Sequence, residues 1–234
     1  MRVIRETNNL FRLTRLGMFN CFLVREGGEL TLVDTNLPGS RRAILRAARS
    51  LRSRINRIAI THAHFDHVGS LDALVKKLPG VEICVGEREA RLLNGNHSLD
   101  PGEKGKPLFG FKRVRSSAHR LLKDGDKVGS LRVVTCPGHT PGHIAFVDVR
   151  DNSLIAGDSF ITQKGIVAAG VYNVLFPMPA WFSWNCALSA LSAAKLSALK
   201  PSRLAVGHGH TVLSPSSLMD RAVEIAMQQH PSHG

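Results

Sequence analysis

The chain has 234 residues, 43% of them hydrophobic, which is enough to bury a sizeable core and argues against extensive disorder. Its four cysteines lie far apart without a CxxC pair, so neither a zinc ribbon nor a disulfide framework is expected. The first residues form no apolar signal segment, and no apolar run is long enough to cross a bilayer, which predicts a cytoplasmic protein without membrane contact. The formal net charge of +13 suits a nucleic acid, an anionic substrate or a solvated basic surface. A nucleic-acid partner is not favoured, because no basic stripe interleaved with aromatic residues is present.

Strand-like and helical patterns alternate along the first half of the chain. Two apolar runs flank Gly27-Gly28 and predict a β-hairpin around that turn. Gly39-Ser40 opens a helical stretch, and Pro79-Gly80 closes another. The predicted strands cover residues 21–24, 30–34, 55–60 and 81–85, and the predicted helices cover residues 41–51 and 68–78.

A second set of similar elements follows the turn at residues 124–126. Because the two sets resemble each other, we expect an α/β fold in which two mixed β-sheets face each other with helices outside. We expect a single domain spanning residues 1–234. The predicted strands of the second set cover residues 131–135, 144–149, 154–156 and 203–206, and the predicted helices cover residues 184–199 and 217–229.

Two stretches do not fit this alternation. Residues 86–123 are loop-rich and basic, with nine Lys or Arg against four Asp or Glu, and residues 160–183 are rich in glycine, proline and aromatic residues. Long insertions of this kind often cover an active site. The aromatic residues from Tyr172 to Trp184 suit an apolar pocket, a lid or a dimer interface.

The most informative segment is the loop of residues 61–67, where three imidazoles and a carboxylate follow an apolar strand within six residues. A loop at the end of a strand can turn His62 and His64 to the same side, while Asp66 and His67 project from the start of a helix toward a neighbouring position. Imidazole nitrogen and carboxylate oxygen are ligands that zinc and similar divalent ions accept. The spacing therefore predicts two adjacent metal ions.

Further candidate ligands stand where other apolar strands end. His139 lies in a Pro-Gly-His-Thr-Pro-Gly-His run, Asp158 follows the strand over 154–156, and His208 follows the last strand. A glycine stands next to each of them and allows close approach of the backbone. His210 is an alternative to His208, and His143 is either a pocket residue or an ordinary buried histidine.

These motifs resemble those of the metallo-β-lactamase superfamily. The superfamily's HxHxDH motif is matched by residues 62–67, and the resemblance covers roughly residues 19–210. It implies an αββα sandwich of two mixed β-sheets flanked by helices, with the metal site at one edge. It also implies that Asp66 orients a metal-bridging hydroxide and then carries a proton to the leaving group. The implied ligands are His62, His64 and His139 for one metal, Asp66, His67 and His208 for the second, and Asp158 as a bridge between them.

The resemblance implies two divalent metal ions, with zinc as the default and iron, manganese or cobalt able to fill the same ligands. Asp34 either hydrogen-bonds a metal ligand or serves as a turn carboxylate, and the residues favour neither role.

The resemblance is closest to the lactonase and glyoxalase II-like branch and implies a small ester, lactone or thioester as substrate. Lactonases of this branch usually carry a tyrosine three residues after the bridging aspartate, where this chain has Ile161, and Tyr172 is the only other candidate for that role. Phosphodiester hydrolysis is the alternative, since the +13 charge favours an anionic substrate. A non-catalytic nucleic-acid-binding protein is a third reading. The oligomeric state stays open.

Overall fold

The computed structural model describes residues 1–172 and 178–230. Within these residues the chain forms two large β-sheets, one of seven strands and one of six, and a small sheet of two strands. The seven-stranded sheet contains, in spatial order, β1 (Arg2–Arg5), β2 (Leu10–Arg15), β3 (Phe19–Glu26), β4 (Glu29–Val33), β5 (Arg54–Ile60), β6 (Glu82–Gly86) and β7 (Arg120–Leu122).

The other strands belong to the second half of the chain. They are β8 (Lys127–Val128), β9 (Leu131–Thr135), β10 (Ile144–Asp148), β11 (Ser153–Ile155), β12 (Phe160–Ile161), β13 (Val167–Ala168), β14 (Arg203–Ala205) and β15 (Val212–Leu213). The six-stranded sheet has the order β15-β14-β11-β10-β9-β8, and β12 pairs with β13.

The helices cover the outer faces of the two sheets. Ile44 of the first helix packs in the same buried cluster as strands β2 to β6, and Met219 of the last helix packs in a cluster with strands β9 to β11. Both sheets are mixed. Strands β4 to β7 run parallel to one another and β3 is antiparallel to β4. In the second sheet β11 is parallel to β14 and antiparallel to β10. The helices are α1 (Arg41–Ser50), α2 (Phe65–Val68), α3 (Leu71–Val75), α4 (Glu87–Leu93), α5 (Met178–Trp181), α6 (Cys186–Ser197) and α7 (Ser216–Gln229).

A third buried cluster lies between the two sheets and holds them together. Phe22 and Ala59 of the first sheet pack there with Phe146, Ile155 and Ala205 of the second. Burial of apolar side chains on both faces of each sheet is the main stabilising contribution of such a layered fold. The layers are therefore helix, sheet, sheet and helix, which confirms the α/β sandwich of two mixed sheets predicted from the sequence.

The strand ends that carry the predicted ligands meet at one edge of the sandwich. The carboxyl ends of the parallel pair β11 and β14 lead to Asp158 and His208, and β10 begins at this same edge because it runs antiparallel to β11. The carboxyl end of β5 reaches it from the other sheet, where the Ile144 amide donates to the carbonyl of Thr61 at 3.0 Å. The topology thus gathers residues that are far apart in the sequence.

Some predicted elements were wrong in extent or missed. The helix predicted over residues 68–78 is divided into α2 and α3 at Gly69 and Ser70, where the Ser70 amide donates to the Thr35 hydroxyl at 3.2 Å. The predicted loop of residues 86–123 begins with α4 and ends with β7.

The N-terminal strands β1 and β2 were not predicted, because arginines interrupt their apolar pattern. Arg12 is nevertheless buried in β2, where its guanidinium pairs with Glu6 at 2.7 Å. Among the described residues, no helix is both long and apolar enough to cross a membrane.

Candidate metal centre

The loop after β5 is the first component of the candidate site. Its start is fixed by Asp34, whose carboxylate accepts hydrogen bonds from the Thr61 amide and hydroxyl, each at 2.8 Å. His62 and His64 follow in this loop with ring centroids 4.7 Å apart. Asp66 lies in the first turn of α2. The local fold therefore separates the motif into a loop part and a helix part, as the spacing predicts.

Residues from the second sheet complete the cluster. His139 Nε2 lies 3.0 Å from His64 Nδ1. The carboxylate of Asp158 lies between several rings, with Oδ2 at 3.1 Å from His208 Nε2 and 3.5 Å from His139 Nε2. Its other oxygen, Oδ1, lies 3.3 Å from His67 Nε2. Asp158 thus contacts rings on both sides of the cluster, which is the position that the sequence analysis assigns to a bridging ligand.

The structure brings all seven predicted ligands together in two adjoining groups. The three-histidine group comprises His62, His64 and His139, and the mixed group comprises Asp66, His67 and His208. In each group the potential ligand atoms lie within 4.8 Å of one another, and a third combination of His62, His67 and Asp158 joins the two. Six of the seven residues are buried, and the side chain of His208 is 13% exposed.

The three-histidine group has the chemistry of a metal site. Burial lowers the pKa of His62 well below its ordinary value, and the neighbouring His67 and His64 lower it further. Burial also lowers the pKa of His64 to about 4. Neutral imidazoles keep a free lone pair for a metal ion. Among the described residues, the buried Nε2 of His62 has no hydrogen-bond partner, which a divalent cation among these nitrogens would supply.

The mixed group differs because carboxylates surround its imidazoles. Burial alone would lower the pKa of His208, but Asp158 and Asp66 outweigh it and raise this pKa to about 10. His67 is also held by Asp34, whose Oδ2 lies 2.8 Å from Nδ1 and so turns Nε2 toward Asp158. A carboxylate behind a metal-binding imidazole fixes its tautomer and ring orientation. Of the two roles considered for Asp34, the structure shows the contact with a candidate ligand.

Glycines leave room for the cluster. At Gly207 a side chain would collide with the Asp158 carboxylate and the His67 ring. Gly157 adopts φ = +52° and a side chain there would meet His143 Nε2. Both positions therefore require glycine, for space at Gly207 and for space and conformation at Gly157.

His143 lies behind the bridging carboxylate. Its Nε2 accepts a hydrogen bond from the Asp158 amide at 3.2 Å, and its Nδ1 lies 3.1 Å from Cys136 Sγ. Burial lowers the pKa of His143 to about 3 and raises that of Cys136 to about 12, so both side chains are neutral at physiological pH. His143 is therefore a buried residue that supports the Asp158 backbone.

The two histidines considered for the last ligand lie in different surroundings. His208 contacts Asp66 and Asp158, whereas His210 is exposed and lies in a surface depression with Arg12. Tyr172 is 53% exposed and lies in a groove beside α7, away from the residues that line the metal cluster. Phe176, which belongs to the predicted aromatic insertion, lies outside the described residues.

A cavity of about 120 Å³ opens onto the cluster. Its floor contains candidate ligands, including Asp66 and His208, and its walls are apolar. Both insertions identified in the sequence contact the site. Phe182 of residues 160–183 lines the cavity, and Phe111 of residues 86–123 packs on His64 with ring centroids 4.8 Å apart. The apolar wall residues are Met18, Phe19, Phe65, Ile161 and Phe182.

One residue near the site was missed by the sequence analysis. Glu89 in the first turn of α4 is fully buried and accepts hydrogen bonds from the loops that carry His62, His64 and His139. In the sequence it is only an acidic residue near the start of a helix, and such a residue is usually explained by a favourable interaction with the helix dipole.

Comparison with known proteins agrees with this geometry. A family model described as the metallo-β-lactamase superfamily matches residues 14–208. The protein YobT of Bacillus subtilis (strain 168) is 43% identical over 209 residues, which cover 88% of this chain and 90% of YobT. The probable metallo-hydrolase YflN of the same organism is 29% identical over 206 residues, covering 80% of this chain and 78% of YflN.

More distant relatives and solved structures share the fold. A hydroxyacylglutathione hydrolase of Legionella pneumophila (strain Lens) is 28% identical over 143 residues, which cover 60% of this chain and 46% of that protein. TTHA1623, solved in a di-iron-bound form, superimposes with a TM-score of 0.65 at 24% identity, covering 88% of this chain and 94% of that chain. The family model, the relatives and the fold agree, and the chain belongs to the metallo-β-lactamase superfamily of metal-dependent hydrolases.

Proposed function

We propose that the chain is a dinuclear metal-dependent hydrolase that acts on a small ester, lactone or thioester. The observation that carries this proposal is the cavity, in which candidate metal ligands form the floor and apolar side chains form the walls. An apolar pocket with a few converging polar groups is typical of a site for small molecules. A substrate with an apolar acyl part would place its carbonyl group at the floor.

In this proposal His62, His64 and His139 hold one metal, Asp66, His67 and His208 hold the other, and Asp158 contacts both. Bound divalent ions supply Lewis acidity and lower the pKa of a coordinated water. Zinc is the default for this set of nitrogen and oxygen ligands. Iron is the alternative that one comparison supports, because TTHA1623 was solved with two iron ions.

The chain's own residues supply positioning and proton transfer. Asp66 lines the cavity, and its Oδ2 lies 3.2 Å from His208 Nε2. A carboxylate at this position can accept a proton from the attacking water and pass it to the leaving group. Phe65, Ile161 and Phe182 would exclude bulk water from the acyl part of the substrate, which strengthens polar interactions at the floor.

The choice among esters, lactones and thioesters rests on one relative and on two residues of this chain. The Legionella relative is named for a hydroxyacylglutathione, which brings acylated glutathione into the panel of substrates. Ile161 stands where lactonases of the branch that this chain resembles have a tyrosine, and Tyr172 lies away from the cavity. Both observations favour a linear ester or thioester over a homoserine lactone.

Phosphodiester hydrolysis has less support from the cavity. No lysine or arginine occurs among the described residues that line it. Several basic residues of the 86–123 insertion already have partners in the chain: Arg88 donates to Glu103 at 2.8 Å and Lys112 donates to the Gly69 carbonyl at 3.1 Å. The described lining of the cavity therefore offers a polyanion no basic side chain. The cytoplasmic location and the single domain of residues 1–234 stay predictions.

A hydrolysis screen with metal analysis on the same sample tests the proposal. The panel contains aryl esters, S-D-lactoylglutathione, acyl-homoserine lactones and bis-p-nitrophenyl phosphate. We expect ester or thioester turnover by protein with two metals bound, lost in His208→Ala and kept in the matched control His210→Ala. Turnover of the phosphodiester alone would contradict the substrate class, and equal activity in both histidine variants would contradict the site.

A further inference from the structure

Glu89 is a buried carboxylate with three hydrogen-bond donors and no counter-ion within the described part of the chain. Its Oε1 accepts from the Ala63 amide at 2.7 Å. Its Oε2 accepts from the Thr140 hydroxyl at 2.8 Å and from the Gly142 amide at 3.0 Å. The side chain is fully buried, and none of its bonds reaches solvent.

The three donors belong to two loops that both carry ligands of the three-histidine group. Ala63 stands between His62 and His64, and Thr140 directly follows His139. The two loops come from different sheets. One backbone hydrogen bond, from the Ile144 amide to the Thr61 carbonyl at 3.0 Å, joins them at the far side of the histidines. Glu89 joins them through a single side chain.

The packing around Glu89 allows little adjustment. A side chain at Gly142 would collide with the Glu89 backbone, and one at Gly86 would come within 2.9 Å of the Gly142 carbonyl. The start of α4 is therefore in direct backbone contact with the His139 loop. Because the packing is this close, the two loops cannot shift without a shift of the Glu89 carboxylate.

A buried carboxyl group is costly unless its hydrogen bonds compensate. Burial raises the pKa of Glu89, and the bonds from Ala63, Thr140 and Gly142 offset part of this rise, which leaves the pKa at about 7. An apolar side chain at this position would avoid the desolvation cost but would leave two backbone amides without acceptors. The carboxylate therefore has a specific task at this position, which is to accept from both loops at once.

We propose that Glu89 is a positioning residue that sets the distance of His139 from His62 and His64, and so controls metal affinity at the three-histidine group alone. This inference rests on the proposed metal ligands. The mixed group is held by a different carboxylate, because Asp34 binds His67 directly. Loss of Glu89 should therefore weaken one metal position and leave the other nearly intact.

The test is a Co²⁺ titration of metal-free wild type and Glu89→Gln, followed by visible absorption. Glutamine preserves the shape but places an amide N–H where an acceptor is needed. We expect one of the two Co²⁺ equivalents to bind about 10–100-fold more weakly, with a changed spectrum, and the other to change by less than about 3-fold. Glu87→Gln, an exposed substitution in the same turn, is the matched control and should match the wild type.

Equal weakening of both equivalents, or of neither, would overturn the positioning role. Binding of fewer than two equivalents by the wild type would instead overturn the proposed dinuclear site itself, so the two failures are distinguishable. Thr140→Val provides a second variant if Glu89→Gln does not fold. It removes one of the three hydrogen bonds and should weaken the same equivalent to a smaller extent, and an unchanged titration of this variant would count against the proposal.

Discussion

The two candidate metal positions use similar side chains but are supported in different ways. In the three-histidine group, burial keeps the rings neutral, and support comes from Glu89 through the backbone of two loops. In the mixed group, Asp34 binds the His67 ring directly, and carboxylates raise the pKa of His208 to about 10. The difference shows that one position depends on the spacing of loops and the other on direct contacts between charged side chains. Substitutions should therefore change the metal affinity of one position at a time, except at Asp158, which contacts both groups.

The largest effect is expected from Asp158→Ala, because Asp158 contacts both groups. Metal content should fall at both positions, and turnover should fall by at least about 10³-fold, as it does when one member of a cooperating catalytic unit is lost. Metal analysis and steady-state kinetics on the same preparation measure both quantities. Full occupancy in a folded variant would remove Asp158 from the ligand set.

Asp66→Ala should separate catalysis from stability. Proton transfer by a positioned side chain contributes about 10²–10⁴-fold, so turnover should fall by at least about 10²-fold, since Asp66 is also a proposed metal ligand. The thermal unfolding midpoint of the metal-free protein should change much less, because Asp66 lies at the floor of the cavity and not in the apolar core. Asp72→Ala is a control carboxylate from the neighbouring helix, outside the site. Unaltered turnover in Asp66→Ala would exclude Asp66 from the mechanism.

Asp34→Asn should weaken the mixed group more than the three-histidine group, because only the mixed group has a ring in direct contact with Asp34. An asparagine can keep the bonds to Thr61 only in part and loses the charge behind the His67 ring. Removal of such a supporting carboxylate typically lowers metal affinity about 10–100-fold. Titration with Co²⁺ should show weaker binding of the equivalent whose affinity Glu89→Gln leaves nearly unchanged. If both variants weakened the same equivalent, the division into two separately supported positions would be wrong.

The smallest effect concerns the cavity wall. Phe182→Ala should raise KM for an acyl substrate about 10-fold with little change in kcat, because the ring contributes binding of the apolar part and not chemistry. Trp181→Ala is the matched control, since Trp181 is 55% exposed and lies outside the cavity lining. A large loss of kcat in Phe182→Ala would mean that the wall positions the reacting group.

The sequence predicts the site more fully than the fold around it. Candidate ligands such as His139, Asp158 and His208 were recognisable because histidine and aspartate stand beside glycine near strand ends. Glu89 was not recognisable, because its role depends on two loops that are distant in sequence. The division between α2 and α3 lies likewise where the Ser70 amide bonds to the distant Thr35, and β2 was hidden by Arg12, whose charge is compensated by Glu6 only in the folded chain. These features depend on tertiary contacts that local patterns do not contain.

The central claim is that two adjoining groups each hold one metal ion. The most direct test is metal stoichiometry at saturation, by elemental analysis of dialysed wild type, His64→Ala, His208→Ala and the control His210→Ala. The account predicts two ions per chain in the wild type and in His210→Ala, and one in each of the other two variants. Two ions in His64→Ala or His208→Ala, or a single ion in the wild type, would contradict it.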